Sequence, residues 1–479
     1  MAEEIETRLF IDGKFVPASN GGTFTVVSPH TGKPAAEVSE ATVDDVNAAV
    51  AAAQKAFPSW SNLSPSARGA PMARLADLIL EHKDELARLE AISMGKPVSE
   101  FIDVGAAVGN FQLYAGMGWQ ARGTSSLNTP GYVNLTVRQP YGVIGVIIPW
   151  NAPLLFFAKK VAPALAAGNT VVLKSSEKAP LTSAKVAALI EKAGFPPGVI
   201  NVLSGHGHIS GAAMSSHMQI RMISFTGSLR TGKAIQKASA ESNLKNVVLE
   251  LGGKSPAIVF EDADLDEAAE LTQYSVRTNA GQTCMQNSRI YVHTDVAEAF
   301  IAKFKEKIAA SKMGDPLDPS TKVGPIVDEV QHKRVLEFIE HGKQSGKLAL
   351  GDSKVDTAAH VNPTIFLETP EDSKIMKEEV FGPVVNINVF NSEDDVVKKA
   401  NDTEFGLYAS VFTKDIDRGL RMLTKLEAGT VGINCTSPTV ATDMPFGGYK
   451  QSGVGREGLE HSLNNYLEVK SALIKVKGL

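Results

Sequence analysis

Tyr141-Gly142-Val143-Ile144-Gly145-Val146-Ile147-Ile148-Pro149-Trp150-Asn151 is an apolar, β-leaning run that stops at a proline and leaves a tryptophan and an amide beyond it. No polar side chain interrupts 143–148, which suits a strand covered on both faces. Runs of the same texture follow at 170–173, 199–203, 222–225, 247–251 and 257–260. Between most of them lie Ala- and Lys-rich stretches of helical length, 156–167, 183–193 and 232–242. Apolar strands alternating with amphipathic helices predict a doubly wound parallel sheet. Such a sheet holds ligands at the carboxyl ends of its strands.

The alternation resumes downstream. Helical stretches at 265–278, 297–310 and 393–400 alternate with strand-like runs at 288–293, 384–389, 409–412 and 430–434, so two successive α/β units with separate cores are expected. Upstream, residues 71–92 read as one amphipathic helix. Residues 123–140 are polar and β-leaning, and read as an arm leaving the main body to pair with a last strand at 466–474. The expected division is 1–122 with 141–251, then 252–432, with 123–140 and 455–479 as the arm.

A chain of 479 residues is too long for one ordinary core, and its 43% apolar and 21% charged content is that of a folded protein. A net charge of −5 offers no concentrated basic surface, so neither nucleic acid nor an anionic membrane is an expected partner. Two cysteines are too few for a disulfide framework, and the acidic N-terminus has no apolar core, so a reducing, cytoplasmic setting is expected. The longest apolar stretch, 143–157, is broken by Pro149, Asn151 and Pro153, which argues against a membrane span.

Several residues at strand ends could carry chemistry. Asn151 either aims an amide donor into a cleft or caps the next helix, with Pro153 in its first turn. Lys174 and Glu177 have the reach to hydrogen-bond ribose hydroxyls, or are two solvated loop charges. Phe225-Thr226-Gly227-Ser228 reads as a strand-to-helix junction, whose backbone amides favour phosphate. Gly227 to Lys233 match the start of a P-loop, but Ala234 stands where magnesium needs Ser or Thr, so an ATPase reading fails. Glu250 ends an apolar run ahead of Gly252-Gly253, and a carboxylate at the edge of an apolar cleft suits a general base. Cys284, after Gly281-Gln282, is a nucleophile or a small buried hydrophobe; Cys435, inside an apolar run, suits the second role better.

As a set, these segments resemble the aldehyde dehydrogenase superfamily, in its NAD(P)-dependent, non-acylating form. The resemblance runs from Leu9-Phe10-Ile11-Asp12-Gly13-Lys14 to the C-terminal strand. Its most specific elements are Pro149-Trp150-Asn151, Ala164-Leu165-Ala166-Ala167-Gly168-Asn169, Phe225-Thr226-Gly227-Ser228, Leu249-Glu250-Leu251-Gly252-Gly253, Gly281-Gln282-Thr283-Cys284, Glu379-Val380-Phe381-Gly382-Pro383 and Pro445-Phe446-Gly447-Gly448-Tyr449-Lys450. The resemblance implies a Rossmann-like cofactor domain, a catalytic domain and a β arm for oligomerisation, as a homodimer or homotetramer. It also implies that Cys284 attacks an aldehyde, Asn151 stabilises the oxyanion, hydride leaves for the nicotinamide, and Glu250 activates water to hydrolyse the thioester. Ile147, Trp150, Lys174, Glu177, Gly207, Gly227, Ser228, Gln331, Glu379 and Phe381 would then contact NAD. A carboxylate at Glu177 usually disfavours the 2′-phosphate of NADP in this family, though some members take both.

Leu155, Lys159, Thr283, Met285, Val440 and Phe446 would line the substrate pocket. Family members acting on aliphatic aldehydes often carry an aromatic where this chain has Lys159, and those taking acid-tailed aldehydes often carry arginine. Lys159 therefore either faces an acidic substituent or runs its ammonium out to solvent, while the apolar walls suit medium or aromatic aldehydes. Two rival functions are a CoA-acylating semialdehyde dehydrogenase, which generally lacks the water-activating glutamate present here as Glu250, and a non-catalytic protein on the same scaffold.

Overall fold

The computed structural model describes residues 5–351, 359–437, 441 and 443–478. Strands Val143–Ile147, Thr170–Lys174 and Ile200–Leu203 are buried along their whole length, as their unbroken apolar runs require. With Ile220–Thr226 and Asn246–Glu250 they form the parallel centre of an eight-stranded sheet. The chain steps outward from Val143–Ile147 through Thr170–Lys174 to Ile200–Leu203, then returns to the other side with Ile220–Thr226. That reversal opens a crevice beyond the carboxyl ends of the two adjacent strands, where Pro149-Trp150-Asn151 and Gly227-Ser228 follow. Antiparallel strands close the edges, Leu9–Ile11 with Lys14–Val16 at one and Gly453–Val454 at the other.

A second, seven-stranded sheet carries Thr364–Leu367, Val384–Phe390, Arg289–His293, Pro256–Val259, Tyr408–Phe412 and Thr430–Ile433 in parallel order, with Lys347–Leu350 antiparallel at its edge. The expected two-unit α/β architecture is present. Residues 123–140 supply Ser125–Ser126 and Tyr132–Pro140, and the latter pairs antiparallel with Leu467–Lys475 from Tyr132↔Lys475 to Pro140↔Leu467. Just before that strand, Glu457 and the helix Leu459–Asn465 stay on the main body, Glu457 bonding Lys160 of the helix Pro153–Ala166 at 2.6 Å.

One local expectation changes. Residues 71–92 are not one helix: Pro65–Glu81 ends and Lys83–Met94 begins at His82, whose φ of −101° and ψ of 19° leave the helical range. The break carries neither Gly nor Pro; the His82 ring instead bonds Glu85 at 3.1 Å. The N-terminal hairpins, Leu9–Ile11 with Lys14–Val16 and Thr23–Val27 with Pro34–Ser39, are mostly too short for a two-residue period to show. Among the described residues, no helix is long and apolar enough to cross a membrane.

Candidate active site

At the crevice a cavity of about 720 Å³ opens to solvent. Of the residues singled out in the sequence, Trp150, Asn151, Gly227, Ser228, Cys284, Gln331, Glu379 and Phe381 line it, with Phe156, Thr226, Gly252 and Arg334 among the others.

Asn151 does not cap the helix that follows. Ala152 occupies that position without a side-chain bond, and the Leu154 N–H donates instead to Glu90 Oε1 at 3.2 Å. The Asn151 amide is turned to the loop of Cys284, donating to the Gln282 carbonyl at 3.0 Å, which uses one of its two hydrogens. Asn279 returns the contact, donating to the Asn151 carbonyl at 3.0 Å.

That loop is bent by three consecutive left-handed residues, Asn279, Ala280 and Gly281, with φ of 51°, 52° and 71°. Only the last is glycine, so the first two store about 1–3 kcal/mol each. Gln282 holds the bend: its Nε2 donates to the Asn279 carbonyl, and its Oε1 accepts from the Val327 N–H, both at 2.9 Å. A Cβ at Gly281 would stand 2.2 Å from the Gly382 carbonyl oxygen, and one at Gly253 would stand 2.5 Å from that of Cys284. At Gly252 it would meet Glu379 Oε2 at 2.3 Å. The separate glycine motifs are thus one packed unit around Cys284.

Cys284 is half-buried, and its enclosure pushes the thiol up to about 12, with the carboxylates of Glu379 and Glu250 adding to the effect. Burial raises Glu379 to about 7, against a 2.9 Å bond from the Gly253 N–H. Glu250 is almost fully buried and neither carboxylate oxygen has a hydrogen-bond partner. Burial first, and the Glu457 carboxylate second, hold it well above the usual carboxylate range, opposed by Lys159, Lys160 and Arg456.

Lys159 neither runs out to solvent nor stands as a free cation. Its side chain is 19% exposed, 3.5 Å from Glu457 Oε2, with the ammonium 4.1 Å above the centre of the Phe446 ring. Leu155, Thr283, Met285 and Phe446 are half-buried and, like Glu250, do not line that cavity. Val440 lies outside the described residues.

Ile147, Lys174, Glu177 and Gly207 also lie outside the cavity lining, along the adjoining sheet edge. Ile147 pairs with Lys174 in register, and Lys174 Nζ stands 3.6 Å from Glu177 Oε2. Burial lowers the Lys174 ammonium from its ordinary range, with Glu177 opposing. Gly207 opens the short turn Gly207–Gly211. Ser228 caps the helix Leu229–Glu241 by accepting from the Thr231 N–H at 3.3 Å. Lys233 bonds Gln451 Oε1 at 2.8 Å, as a solvent-side residue and not a P-loop lysine would.

Gln331 braces the loop at Glu379: its Nε2 donates to the carbonyls of Val380 and Phe381 at 3.1 and 3.0 Å. Phe381 packs edge-on against Trp150 at 5.4 Å. Arg334 escaped the sequence reading, although it stands three residues after Gln331 on the same helix face; its Nη2 donates to the Glu379 carbonyl at 3.1 Å. Among the described residues, no group of three or more His, Cys, Asp or Glu is placed to hold a metal ion.

The model of the Aldehyde dehydrogenase family matches residues 15–472. An aldehyde dehydrogenase of Alternaria alternata is 45% identical over 478 residues, covering 99% of this chain and 96% of its own. The solved structure of a gamma-glutamyl-gamma-aminobutyraldehyde dehydrogenase from Burkholderia cenocepacia J2315 superposes with a TM-score of 0.97 at 44% identity, over 99% of this chain and 98% of that one. An indole-3-acetaldehyde dehydrogenase of P. syringae, solved with NAD+ and IAA, gives a TM-score of 0.97 at 38% identity, over the same 99% and 98%. Matched along nearly its whole length in sequence and in fold, the chain belongs to the aldehyde dehydrogenase family, whose members are oxidoreductases acting on aldehydes.

Proposed function

We propose that the protein oxidises an aldehyde to its carboxylic acid through a thioester on Cys284, with NAD+ as the electron acceptor. The observation that carries this reading is the interlocking of Asn151 with the Cys284 loop, beside a buried carboxyl, Glu250, that has no partner of its own. The crevice fits a nicotinamide dinucleotide. Thr226 Oγ1 is buried there without a partner, the helix Leu229–Glu241 begins there, and the bare backbone of Gly252 lets the Glu379 carboxylate pack into the wall. Lys174 and Glu177 would hold the adenosine ribose, Ser228 and Gly227 the pyrophosphate, and Glu379 the nicotinamide ribose. Glu177 supports NAD over NADP, because its carboxylate would repel a 2′-phosphate. NAD+, when bound, accepts the hydride that leaves the substrate carbon.

The protein's own groups do the rest. Cys284 Sγ bonds to the carbonyl carbon as its proton passes to a base, and Glu250, a carboxyl of raised affinity for protons, is the acceptor at hand. The second amide N–H of Asn151 and the backbone N–H of Cys284 stabilise the oxygen that becomes negative. After hydride loss, Glu250 first gives up the thiol's proton to solvent and then takes one from water; the resulting hydroxide adds to the thioester, and Cys284 leaves as a thiolate as the acid is released. Phe156 on the cavity wall and the engagement of Lys159 with Glu457 favour an uncharged, medium-sized or aromatic aldehyde over an acid-tailed one. NADH formation across a panel of aliphatic, aromatic and acid-tailed aldehydes, with NAD+ and NADP+, tests the reading. Turnover of aromatic or medium aliphatic members with NAD+ is expected; no NADH from any aldehyde would defeat it.

A further inference from the structure

Behind Glu250 lies a compact cluster of charges that the scheme above does not use. From the helix Pro153–Ala166 come Lys159 and Lys160, and from the chain after Gly453–Val454 come Arg456 and Glu457. Cys284 approaches from the catalytic loop, and the backbone at Gly447 closes the remaining side, where a Cβ would stand 2.9 Å from Glu250 Oε1. Lys160 and Glu457 are fully buried and bonded at 2.6 Å, and Lys160 also donates to Ser224 Oγ at 3.0 Å. That pair is self-neutralising. Arg456 is committed elsewhere, donating to the carbonyls of Gly448 and Gly455 at 3.1 and 2.7 Å. Lys159 remains, 3.5 Å from the second Glu457 oxygen, Oε2, and held over the Phe446 ring at 4.1 Å.

We propose that Lys159 is the counter-charge of the reaction centre: its ammonium, fixed by Glu457 and the Phe446 ring, lets Glu250 and Cys284 carry negative charge inside the protein. It is a positioning residue acting through electrostatics, not a contact for an acidic substrate tail. Three cations, Lys159, Lys160 and Arg456, then face Glu457 and an ionised Glu250. Without Lys159, Glu457 and Lys160 neutralise each other, and Glu250 keeps only Arg456, the weakest of the three cations acting on it. Of the three cations around Glu250, Lys159 does most to hold its carboxyl down, and it holds the Cys284 thiol down as well. The inference rests on Glu250 and Cys284 having the roles proposed above.

The test measures two pH curves in the wild type, Lys159→Met, Lys159→Gln and Lys159→Arg. One is steady-state turnover of a neutral aldehyde, whose acid limb reports the base. The other is the rate of Cys284 alkylation by iodoacetamide without aldehyde, which reports the thiol whether or not the enzyme turns over. Both curves should move to higher pH by at least about one unit in the Met and Gln variants. Arg should restore them, and neutral and acid-tailed aldehydes should lose rate equally. Unmoved curves in folded Met or Gln protein would overturn the proposal, and so would a loss confined to acid-tailed aldehydes. If no aldehyde is oxidised, the proposed function fails, and the alkylation curve still decides the part of Lys159.

Discussion

The thiol of Cys284 is held protonated at neutral pH by its enclosure and by two carboxylates, so its attack depends on groups around it more than on its own acidity. Cys284→Ala should therefore abolish aldehyde-dependent NADH formation, by at least ~10³-fold; turnover that survives would remove the nucleophile from the scheme. Asn151→Ala should lower kcat by ~10²–10³-fold with the fold intact by circular dichroism. A loss appearing only in KM would mean that Asn151 binds substrate without stabilising the oxyanion. Glu250 lies well above the usual carboxylate range, so it is neutral at acid pH and gains competence as a base as pH rises. Hydrolysis should accord with that sign, climbing as pH rises beyond the usual carboxylate range, and Glu250→Gln should flatten the climb. A wild-type rate that is flat from acid to alkaline pH would contradict this.

Among the elements, the helix Pro153–Ala166 depends on a distant residue for its start. Glu90, fully buried, accepts from Leu154 and pairs with Lys96 at 2.8 Å, and Lys96 in turn holds Asp103 at 2.7 Å. Glu90→Ala should cost about 3 kcal/mol, because it strands a helix N–H and half of a buried ion pair; an unchanged melting temperature would refute it. The long buried strands were legible because unbroken apolar runs have few other uses, and the reversal between Val143–Ile147 and Ile220–Thr226 follows from the doubly wound pattern. The break at His82 was not legible, since no Gly or Pro marks it. Neither were the left-handed Asn279 and Ala280, whose conformation comes from bonds made by Gln282 and Asn151 rather than from their own preferences. Glu457 was invisible for a related reason: a glutamate reads as a surface residue, and its partner Lys160 is 297 positions away.

For the whole molecule, the strand Leu467–Lys475 ends its three-stranded sheet and presents Val469 and Leu473, 63% and 68% exposed. An unprotected apolar edge of this kind invites pairing, and assembly through it into a homodimer or homotetramer is the proposed state. Val469→Asp with Leu473→Asp should shift the mass found by light scattering towards the single chain, whereas an unchanged assembly would place the interface elsewhere. The two sheets meet at the cavity: Asn151, just past a strand end of the first, lines it together with Cys284, which the chain between Pro256–Val259 and Arg289–His293 brings in, while Glu250 lies buried behind. Whether that convergence makes a thioester is open to direct observation. Wild-type protein, mixed with NAD+ and a substrate aldehyde, quenched in acid within the first turnover and mapped by mass spectrometry, should carry the corresponding acyl group on the Cys284 peptide. A peptide that stays unmodified while NADH accumulates, or an acyl group on another residue, would contradict the account.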